Sequence, residues 1–356
     1  MTDLENIFRL APFELSRTEK QELMLNGLNQ LHQFHRNNSE EYSDFSRLLF
    51  KDNSEFTRLE QVPFLPVSAF KNHYLKSVSD ENVFKVLTSS GTTGQAVSRI
   101  VLDKPTSQLQ TKALNSIITG VIGSQRLPML IVDSKVVFAN RSSFSARGAG
   151  IMGLSIFGKD HTYILDENFE LDLTKLTEFL TKYNGQKILI FGFTFMVWEF
   201  LFKQIEKGQL DLSQAILIHS GGWKKLENMA VNNEVFKSEF YDKHKLSEIY
   251  NFYGMVEQVG SVFIENSQGF LHCPNFSDVI IRNPIDFSVQ PHGEPGLIQV
   301  QSLLPWSYPG HSLLTEDLGV VMGEDDAENG WKGKYFKILG RSKKAELRGC
   351  SDTFKK

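Results

Sequence analysis

The chain has 356 residues, 41% of them hydrophobic and 22% charged, a composition typical of a globular protein with one large or two ordinary domains rather than of a disordered chain. Its net charge of −4 and its lack of a long Lys/Arg run argue against a nucleic-acid-binding protein. Two cysteines are too few for a disulfide framework, and neither a cationic, apolar leader nor an apolar run of ~18 residues occurs, so we expect a cytoplasmic protein without a membrane span.

Residues 1–50 are predicted to be helical. Apolar residues recur there at three- and four-residue steps, which marks one face of a helix: Met24, Leu28, Leu31 and Phe34. Pro63 and Pro66 then end the helical pattern, because proline is a strong breaker of regular structure. Further along the chain, the apolar run 129–133 predicts a short buried strand.

From residue 170 onward, helix and strand patterns alternate. Helices with an apolar face are predicted at 171–180, 195–205 and 225–240. Short, nearly all-apolar strands are predicted at 187–191, 215–218 and 249–252. This alternation indicates an α/β fold with a parallel sheet that is covered by helices on both faces. After residue 260, shorter strands and Gly/Pro turns favour an antiparallel, barrel-like region.

Three unusual segments directly follow the predicted strands. They are Phe193-Thr194, Ser220-Gly221-Gly222-Trp223 and Tyr253 to Glu257. Ligands of open parallel sheets bind beyond the carboxyl ends of the strands, so we expect these segments to meet at one edge of the sheet. The apolar helix after Phe193 suits either a substrate pocket or a plain core.

A loop rich in hydroxyl groups and glycine joins two further strand-like runs, 83–87 and 99–102. Its sequence is Thr88-Ser89-Ser90-Gly91-Thr92-Thr93-Gly94. Its glycines let the backbone approach a ligand closely, and its N–H groups and hydroxyls suit a polyphosphate. The loop is not a Walker A sequence, because no Lys follows the second glycine and no helix pattern begins there. The alternative is an ordinary polar turn.

Together with three later segments, this loop resembles the adenylate-forming superfamily of acyl-CoA synthetases, luciferases and peptide-synthetase adenylation domains. The later segments are Tyr253-Gly254-Met255-Val256-Glu257, Thr315-Glu316-Asp317-Leu318-Gly319 and Gly340-Arg341. The stretch from Gly340 to Ser351, which contains Cys350, is similar to the tail of the acyl-protein synthetases of bacterial bioluminescence operons, the LuxE family. The resemblance implies an adenylation domain at 1–339, and a hinge with a Cys-bearing tail at 340–356 in place of the superfamily's C-terminal domain.

The resemblance also implies ATP and Mg²⁺ as cofactors, with a site for each part of the reactants. For the nucleotide it implies Ser89, Ser90, Gly91, Thr92, Thr93 and Gly94 at the phosphates, Tyr253 at the adenine with Gly254 beside it in the ATP site, Asp317 at the ribose, and Arg341 at the ribose or the phosphate. For the acid it implies Phe193, Ser220, Gly221 and Gly222. It implies Glu257 as the magnesium ligand, a choice consistent with the preference of this hard cation for carboxylate oxygens.

Each of these assignments has a plainer alternative. Glu257 could be a surface glutamate, Tyr253 a core tyrosine, and Asp317 a turn residue before Leu318-Gly319. His219, which precedes Ser220, is expected to be structural. The sequence also departs from the superfamily pattern: Gln95 and its neighbours stand where a Lys is usual, with Arg99 as a substitute, and Val256 replaces the usual Thr.

In LuxE enzymes a tail cysteine accepts the acyl group and passes it to a reductase partner. The resemblance therefore implies ATP-dependent activation of a carboxylic acid, of the fatty-acid class, followed by acylation of Cys350 and delivery to an acyl-CoA-reductase-like protein. The residue pattern leaves open a ligase for an aromatic or other biosynthetic acid with CoA, a carrier protein or an amine as acceptor. It also leaves open a non-catalytic nucleotide binder, and a homo-oligomer.

Overall fold

The computed structural model describes residues 4–50, 55–89, 97–138, 146–223 and 231–342. The chain folds into two compact units. The described residues within 4–89, 97–120 and 254–342 form the antiparallel unit, and those within 121–253 form the parallel unit. In these described ranges, no helix is both long and apolar enough to cross a membrane.

The described residues form helices and strands in both units. The helices are α1 (Leu4–Ile7), α2 (Arg17–Asn38), α3 (Glu40–Phe50), α4 (Ala69–Asn72), α5 (Lys104–Ile122), α6 (Ala146–Ser155), α7 (Leu173–Lys182), α8 (Thr194–Met196) and α9 (Asn233–His244). The strands are β1 (Leu65–Pro66), β2 (Lys85–Thr88), β3 (Arg99–Leu102), β4 (Leu127–Ser134), β5 (Gly158–Leu165), β6 (Ile188–Phe193), β7 (Ala215–Ser220), β8 (Glu248–Tyr253), β9 (Phe263–Glu265), β10 (Leu271–His272), β11 (Ser277–Arg282), β12 (Gly296–Ser302), β13 (Ser312–Glu324) and β14 (Lys334–Arg341).

Antiparallel pairing dominates the first unit, as predicted for the chain after residue 260. Its strands lie in the order β11-β12-β13-β14-β10-β9, and every neighbouring pair is antiparallel. The long strand β13 pairs with β14 so that Asp317 stands opposite Arg341. The strands β2 and β3 form a separate antiparallel pair, which confirms the predicted strand–loop–strand around the hydroxyl-rich loop.

A parallel sheet forms the centre of the second unit. Its order is β8-β7-β6-β4-β5, and all four pairings are parallel. Every residue of β6 and β7 is buried, because helices cover both faces of such a sheet. The strands predicted from the apolar runs at 129–133, 187–191, 215–218 and 249–252 are confirmed as β4, β6, β7 and β8.

The strand order creates one switch point in this sheet. The chain passes from β4 to β5 on one side of β4, and then returns to β6 on the other side and continues to β7 and β8. Connections therefore leave β4 and β6 in opposite directions. A crevice opens beyond the carboxyl ends of two such strands, and it is the usual ligand site of open α/β sheets. Ser134 and Phe193, which end β4 and β6, border it.

Two predicted helices differ from the observed ones. The segment predicted at 195–205 begins at Thr194 and continues as a π-helix over Val197–Phe202, a form that a single sequence does not distinguish from an α-helix. The helix predicted at 225–240 is α9, which begins later, at Asn233. Asn232 caps it by accepting a hydrogen bond from Val235 N (2.8 Å), as N-cap asparagines do. Residues 225–230 of that prediction lie outside the described residues.

The elements α6 and β5 lack a clear signal in the sequence. The helix α6 contains Gly148, Gly150 and Gly153, and glycine has low helix propensity. Packing explains one of these glycines, since a Cβ added at Gly150 would lie 3.0 Å from Phe193 Cζ. The strand β5 is exposed and polar through its first half, as suits the edge of a sheet, so it shows no apolar run.

A buried histidine cluster joins the N-terminal helices to the antiparallel sheet. His35 Nε2 lies 3.0 Å from Pro305 O, and its Nδ1 lies 2.7 Å from Ser77 Oγ. The ring of His35 stacks on that of His311 with centroids 5.0 Å apart. Burial lowers the pKa of His35 to about 3 and that of His311 well below its ordinary value, so both rings are neutral in the folded protein.

We expect acid to destabilise the protein through this cluster. Between pH ~6.5 and ~3 the unfolded chain binds protons at these histidines and the folded chain does not. The contribution of His35 to stability is therefore complete above pH ~6.5 and is lost as the pH falls toward about 3. Replacing His35 by Gln should lower stability at pH 7 and also flatten its pH dependence by up to about 1.4 kcal/mol per pH unit.

Urea unfolding at a series of pH values measures this slope. His161→Gln, at an exposed position, serves as the control and should leave the slope unchanged. An equally steep acid dependence in His35→Gln would show that other groups cause it.

Candidate active site

Glu257, the magnesium candidate, lies in a short 3-10 helix, Val256–Gln258. It is only 7% exposed, so the alternative of a surface glutamate is wrong. The neighbouring side chain anchors the helix: Gln258 Nε2 donates to Gly310 O (2.8 Å) and to Val300 O (3.2 Å). The structure therefore holds the Glu257 carboxyl in a fixed, enclosed position.

Burial and nearby charges act on the Glu257 carboxyl in opposite directions. Burial raises the pKa of the Glu257 carboxyl above its ordinary value, while the Ser98 hydroxyl and the Lys71 ammonium act in the opposite direction. Burial, and then the Glu257 carboxylate, raise the pKa of Tyr308, and the Tyr308 hydroxyl has no hydrogen-bond partner in the described part of the chain. A carboxylate that is costly to ionise when buried is stabilised by a bound cation.

The donor set fits magnesium better than a transition metal. No group of three or more His, Cys, Asp or Glu side chains that could hold a metal occurs among the described residues. Magnesium usually takes only one or two protein carboxylates and completes its shell with water and substrate phosphates. A single enclosed carboxylate, Glu257, suits that mode of binding.

Asp317 and Arg341, the ribose candidates, are brought together by the pairing of β13 with β14. Arg341 Nε donates to Asp317 Oδ1 at 3.2 Å. Asp317 N in turn donates to Thr315 Oγ1 at 3.1 Å. Asp317 lies inside a 13-residue strand, so the alternative of a turn residue is wrong. Glu316 Oε2 also approaches the guanidinium, 3.6 Å from Arg341 Nη2.

We expect Asp317→Ala to weaken ATP binding roughly tenfold or more, because a charged acceptor on sugar hydroxyls contributes about 1.5–3 kcal/mol per bond. Affinity for the free acid should hardly change. Titrations with ATP and 2′-deoxy-ATP make the test specific: wild type should prefer ATP, and the variant should lose most of that preference.

Glu316→Ala is the matched control for this experiment. It removes the other carboxylate beside Arg341 while leaving Asp317 in place, so it should keep the preference for ATP. If Asp317→Ala discriminates against 2′-deoxy-ATP as well as wild type does, the ribose contact lies elsewhere, with Arg341 the first candidate.

In the parallel unit, the ends of β6, β7 and β8 form one edge, as predicted. Phe193 pairs with Ser220 across β6 and β7, and Ser220 pairs with Phe252 across β7 and β8. Ser220 Oγ donates to Phe252 O at 2.9 Å. Gly221 has a φ of 86°, a conformation that favours glycine. A Cβ added there would lie 3.2 Å from Phe193 Cδ1, so this loop packs directly on Phe193.

His219, the residue before Ser220, makes buried contacts close to the same edge of the sheet. Its ring is 2% exposed, and its Nδ1 lies 2.9 Å from Thr194 Oγ1. It stacks on Phe236 with ring centroids 4.7 Å apart. Burial lowers its pKa to about 3, so the ring is neutral and links the end of β7 to the start of the helical segment after β6.

The remaining predicted site residues fall partly outside the described residues. Ser89 forms two hydrogen bonds with Ser98. Its N–H donates to Ser98 O (3.1 Å), and its Oγ accepts from Ser98 N (2.9 Å). Tyr253 ends β8 and is half-buried, and Gly254 and Gly222 are exposed. Ser90, Gly91, Thr92, Thr93, Gly94 and Cys350 lie outside the described residues.

Arg99 and the other cysteine have surroundings that bear on their roles. The guanidinium of Arg99, the candidate to replace the usual Lys, lies over the ring of Tyr74 with Cζ 5.0 Å from its centroid. Cys273 is fully buried, and burial raises the pKa of its thiol. Since the thiolate is the nucleophile, Cys273 is unsuited to accept an acyl group.

Sequence reasoning missed several groups next to the predicted ones. Lys71, Ser98 and Tyr308 interact electrostatically with Glu257 but come from three distant parts of the sequence. Asp133 and Arg147 form a buried ion pair at the end of β4. An aspartate at the end of an all-apolar strand is a detectable signal, whereas its arginine partner lies in a glycine-rich helix that the sequence does not predict.

Comparison with known proteins identifies relatives over the whole chain. The sequence model of the family "Acyl-protein synthetase, LuxE" matches residues 2–356. A long-chain-fatty-acid–luciferin-component ligase of Vibrio harveyi is 25% identical over 365 residues, which cover 97% of this chain and 90% of the relative. The ligase of the same name from Aliivibrio fischeri is 23% identical over 357 residues, with 97% and 91% covered.

Solved structures show the same fold. A 2-hydroxyisobutyryl-CoA ligase, in an open conformation with 2-HIB-AMP and CoA, matches with a TM-score of 0.67 and 15% identity over 93% of this chain and 76% of that one. ATP-bound MatB from Rhodopseudomonas palustris matches with a TM-score of 0.50 and 16% identity over 74% and 49%. The expected α/β fold of adenylate-forming ligases is confirmed.

Proposed function

Since the chain belongs to the LuxE family of acyl-protein synthetases and is thereby an enzyme of the acid–thiol ligase class, we propose that it activates a fatty acid with ATP and transfers the acyl group to a protein cysteine. The match of the family over residues 2–356 carries this proposal. The curated relatives are named as ligases of long-chain fatty acids, which supports the fatty-acid class of substrate.

The first step is formation of the acyl adenylate. A carboxylate oxygen of the acid attacks the α-phosphorus of ATP, the bond from that phosphorus to the bridging oxygen breaks, and pyrophosphate leaves. A magnesium ion, when bound, neutralises phosphate charge, and Glu257 would hold it. Asp317 and Arg341 would fix the ribose, so that the protein contributes mainly positioning and electrostatic stabilisation.

The second step is transfer to sulfur. The Cys350 thiolate attacks the acyl carbonyl carbon, the bond from that carbon to the phosphate oxygen breaks, and AMP leaves, while the thiol proton passes to solvent. Cys273 is buried, which leaves Cys350 as the cysteine for this role. Residues 1–339 would act as the adenylation domain, and 340–356 as the hinge and tail that carry the thioester to an acyl-CoA-reductase-like partner.

A screen of acids distinguishes this proposal from its main rival. Pyrophosphate release is measured with dodecanoate and longer saturated acids, with benzoate-type acids and with sugar acids. Release that depends on a fatty acid and varies with its chain length supports the proposal. Release with aryl acids but with no fatty acid would instead favour a biosynthetic ligase with CoA, a carrier protein or an amine as acceptor, for which the departures at Gln95 and Val256 leave room.

A further inference from the structure

A buried ion pair lies at the switch point of the parallel sheet. Asp133 is 1% exposed and Arg147 is 4% exposed, with Arg147 Nε 3.0 Å from Asp133 Oδ2. Ile131 of β4 pairs with Phe191 of β6. Asp133 follows Ile131 by two residues and Phe193 follows Phe191 by two, so both lie at the carboxyl ends of the neighbouring strands β4 and β6.

The pair leaves the guanidinium only partly satisfied. Neither Arg147 Nε nor Asp133 Oδ2 makes a directed hydrogen bond despite their short separation, and Arg147 Nη1 has no hydrogen-bond partner among the described residues. The guanidinium also lies over a ring, since Arg147 Cζ is 5.3 Å from the centroid of Phe169. Burying an arginine nitrogen without a partner is costly, which points to a ligand that completes the site.

The position of Arg147 on its helix adds to this attraction for anions. Arg147 is the second residue of the ten-residue helix α6. The N–H groups of the first turn of a helix lack partners within the helix, and the helix dipole is positive there. Helix N-termini are therefore common anion sites. Here such a terminus and a buried guanidinium lie together at the switch point of the sheet.

We propose that Arg147 is an oxyanion-binding residue at the crevice beyond β4 and β6, where it takes a carboxylate or phosphate group of a reactant. This inference rests on the proposed function, which supplies both chemistries: the carboxylate of the fatty acid and the phosphates of ATP. The carboxylate is the favoured source, because Phe193, at the end of the neighbouring strand β6, contributes an apolar ring that suits an acyl chain.

In this proposal the ligand binds Arg147 beside Asp133, so two anionic groups share one guanidinium. Burial raises the pKa of Asp133 to about 6, although the Arg147 guanidinium and the Ser134 backbone N–H lower it. Tyr163 of the neighbouring strand β5 is a further titratable group near Asp133; burial, and then Asp133, raise its pKa. A second anion beside the guanidinium would favour the protonated form of Asp133 further. Binding should therefore take up a proton near neutral pH, and it should tighten as the pH falls from 8 to 6.

Calorimetric titration of the full chain with dodecanoate and, separately, with pyrophosphate tests the proposal. Arg147→Lys should raise the dissociation constant of one probe about tenfold or more, because lysine lacks the planar fork that holds an oxyanion. A selective loss with dodecanoate identifies the carboxylate as the ligand, and a selective loss with pyrophosphate identifies the phosphate. Arg126→Lys is the matched control, since Arg126 Nε donates to Gly158 O (2.8 Å) in the same unit.

Asp133→Asn gives a second test that keeps Arg147 in place. It removes the competing negative charge, so the affinity for the same probe should rise about threefold or more. This variant decides the question if Arg147→Lys fails to fold. If both variants bind both probes as wild type does, or if wild type binds neither, the pair is purely structural and the proposal is overturned. Pyrophosphate release by the same wild-type preparation reports on the proposed function separately.

Discussion

Cys350→Ser should abolish stable acylation of the protein while leaving acid-dependent release of pyrophosphate nearly unchanged. The two steps of the proposed reaction use different groups, so removal of the thiol stops only the second. A serine hydroxyl is far less ionised than a thiol near neutral pH and is a poor nucleophile without a base. Incubation with radioactive fatty acid and ATP, followed by denaturing electrophoresis, should show label that hydroxylamine removes in wild type and no label in the variant.

Cys273→Ala is the matched control for the acceptor. Cys273 is fully buried with a raised thiol pKa, so its loss should leave both label and release intact. Labelling of Cys350→Ser at the wild-type level would place the acceptor elsewhere. Loss of pyrophosphate release in the same variant would mean that the tail is needed for adenylation itself.

Glu257→Gln should cut adenylation roughly a hundredfold or more, because loss of the metal's carboxylate leaves phosphate charge uncompensated. Glutamine is chosen because Glu257 is enclosed and a side chain of similar size preserves its packing. Burial raises the pKa of this carboxyl, so protons compete with magnesium for it more than for an exposed carboxylate. In wild type, the magnesium requirement should therefore become stronger as the pH falls.

Glu265→Gln provides the control for this variant. Glu265 is another buried glutamate of the antiparallel unit, on β9, so the substitution tests for a general effect of losing a buried carboxylate. It should lower thermal stability at most, and not the rate at limiting magnesium. An unchanged rate for Glu257→Gln at limiting magnesium would contradict the assignment of the metal ligand.

The sequence predicts the parallel sheet well because its strands are buried on both faces. The nearly all-apolar runs at 187–191 and 215–218 correspond to β6 and β7, every residue of which is buried. The same strands put Phe193 and Ser220 side by side, as expected for segments that follow parallel strands. Strand ends are predictable here because the apolar run stops where the chain leaves the core.

Pairing between distant residues is harder to predict. No local pattern shows that Asp317 faces Arg341 across β13 and β14, or that Glu257 is enclosed near Ser98 and Tyr308. These arrangements depend on tertiary packing. The helix α6 was missed for a related reason, since contact with Phe193 rather than helix propensity accounts for Gly150.

Exchange of radioactive pyrophosphate into ATP tests the central claim most directly, because it reports reversible formation of an acyl adenylate before any transfer. Wild-type protein with magnesium and dodecanoate or a longer fatty acid should catalyse exchange that is absent without the acid. The Cys350→Ser variant should retain this exchange. If ATP binds but no acid of any class supports exchange, the protein binds nucleotide without forming an adenylate, and the proposed function is wrong.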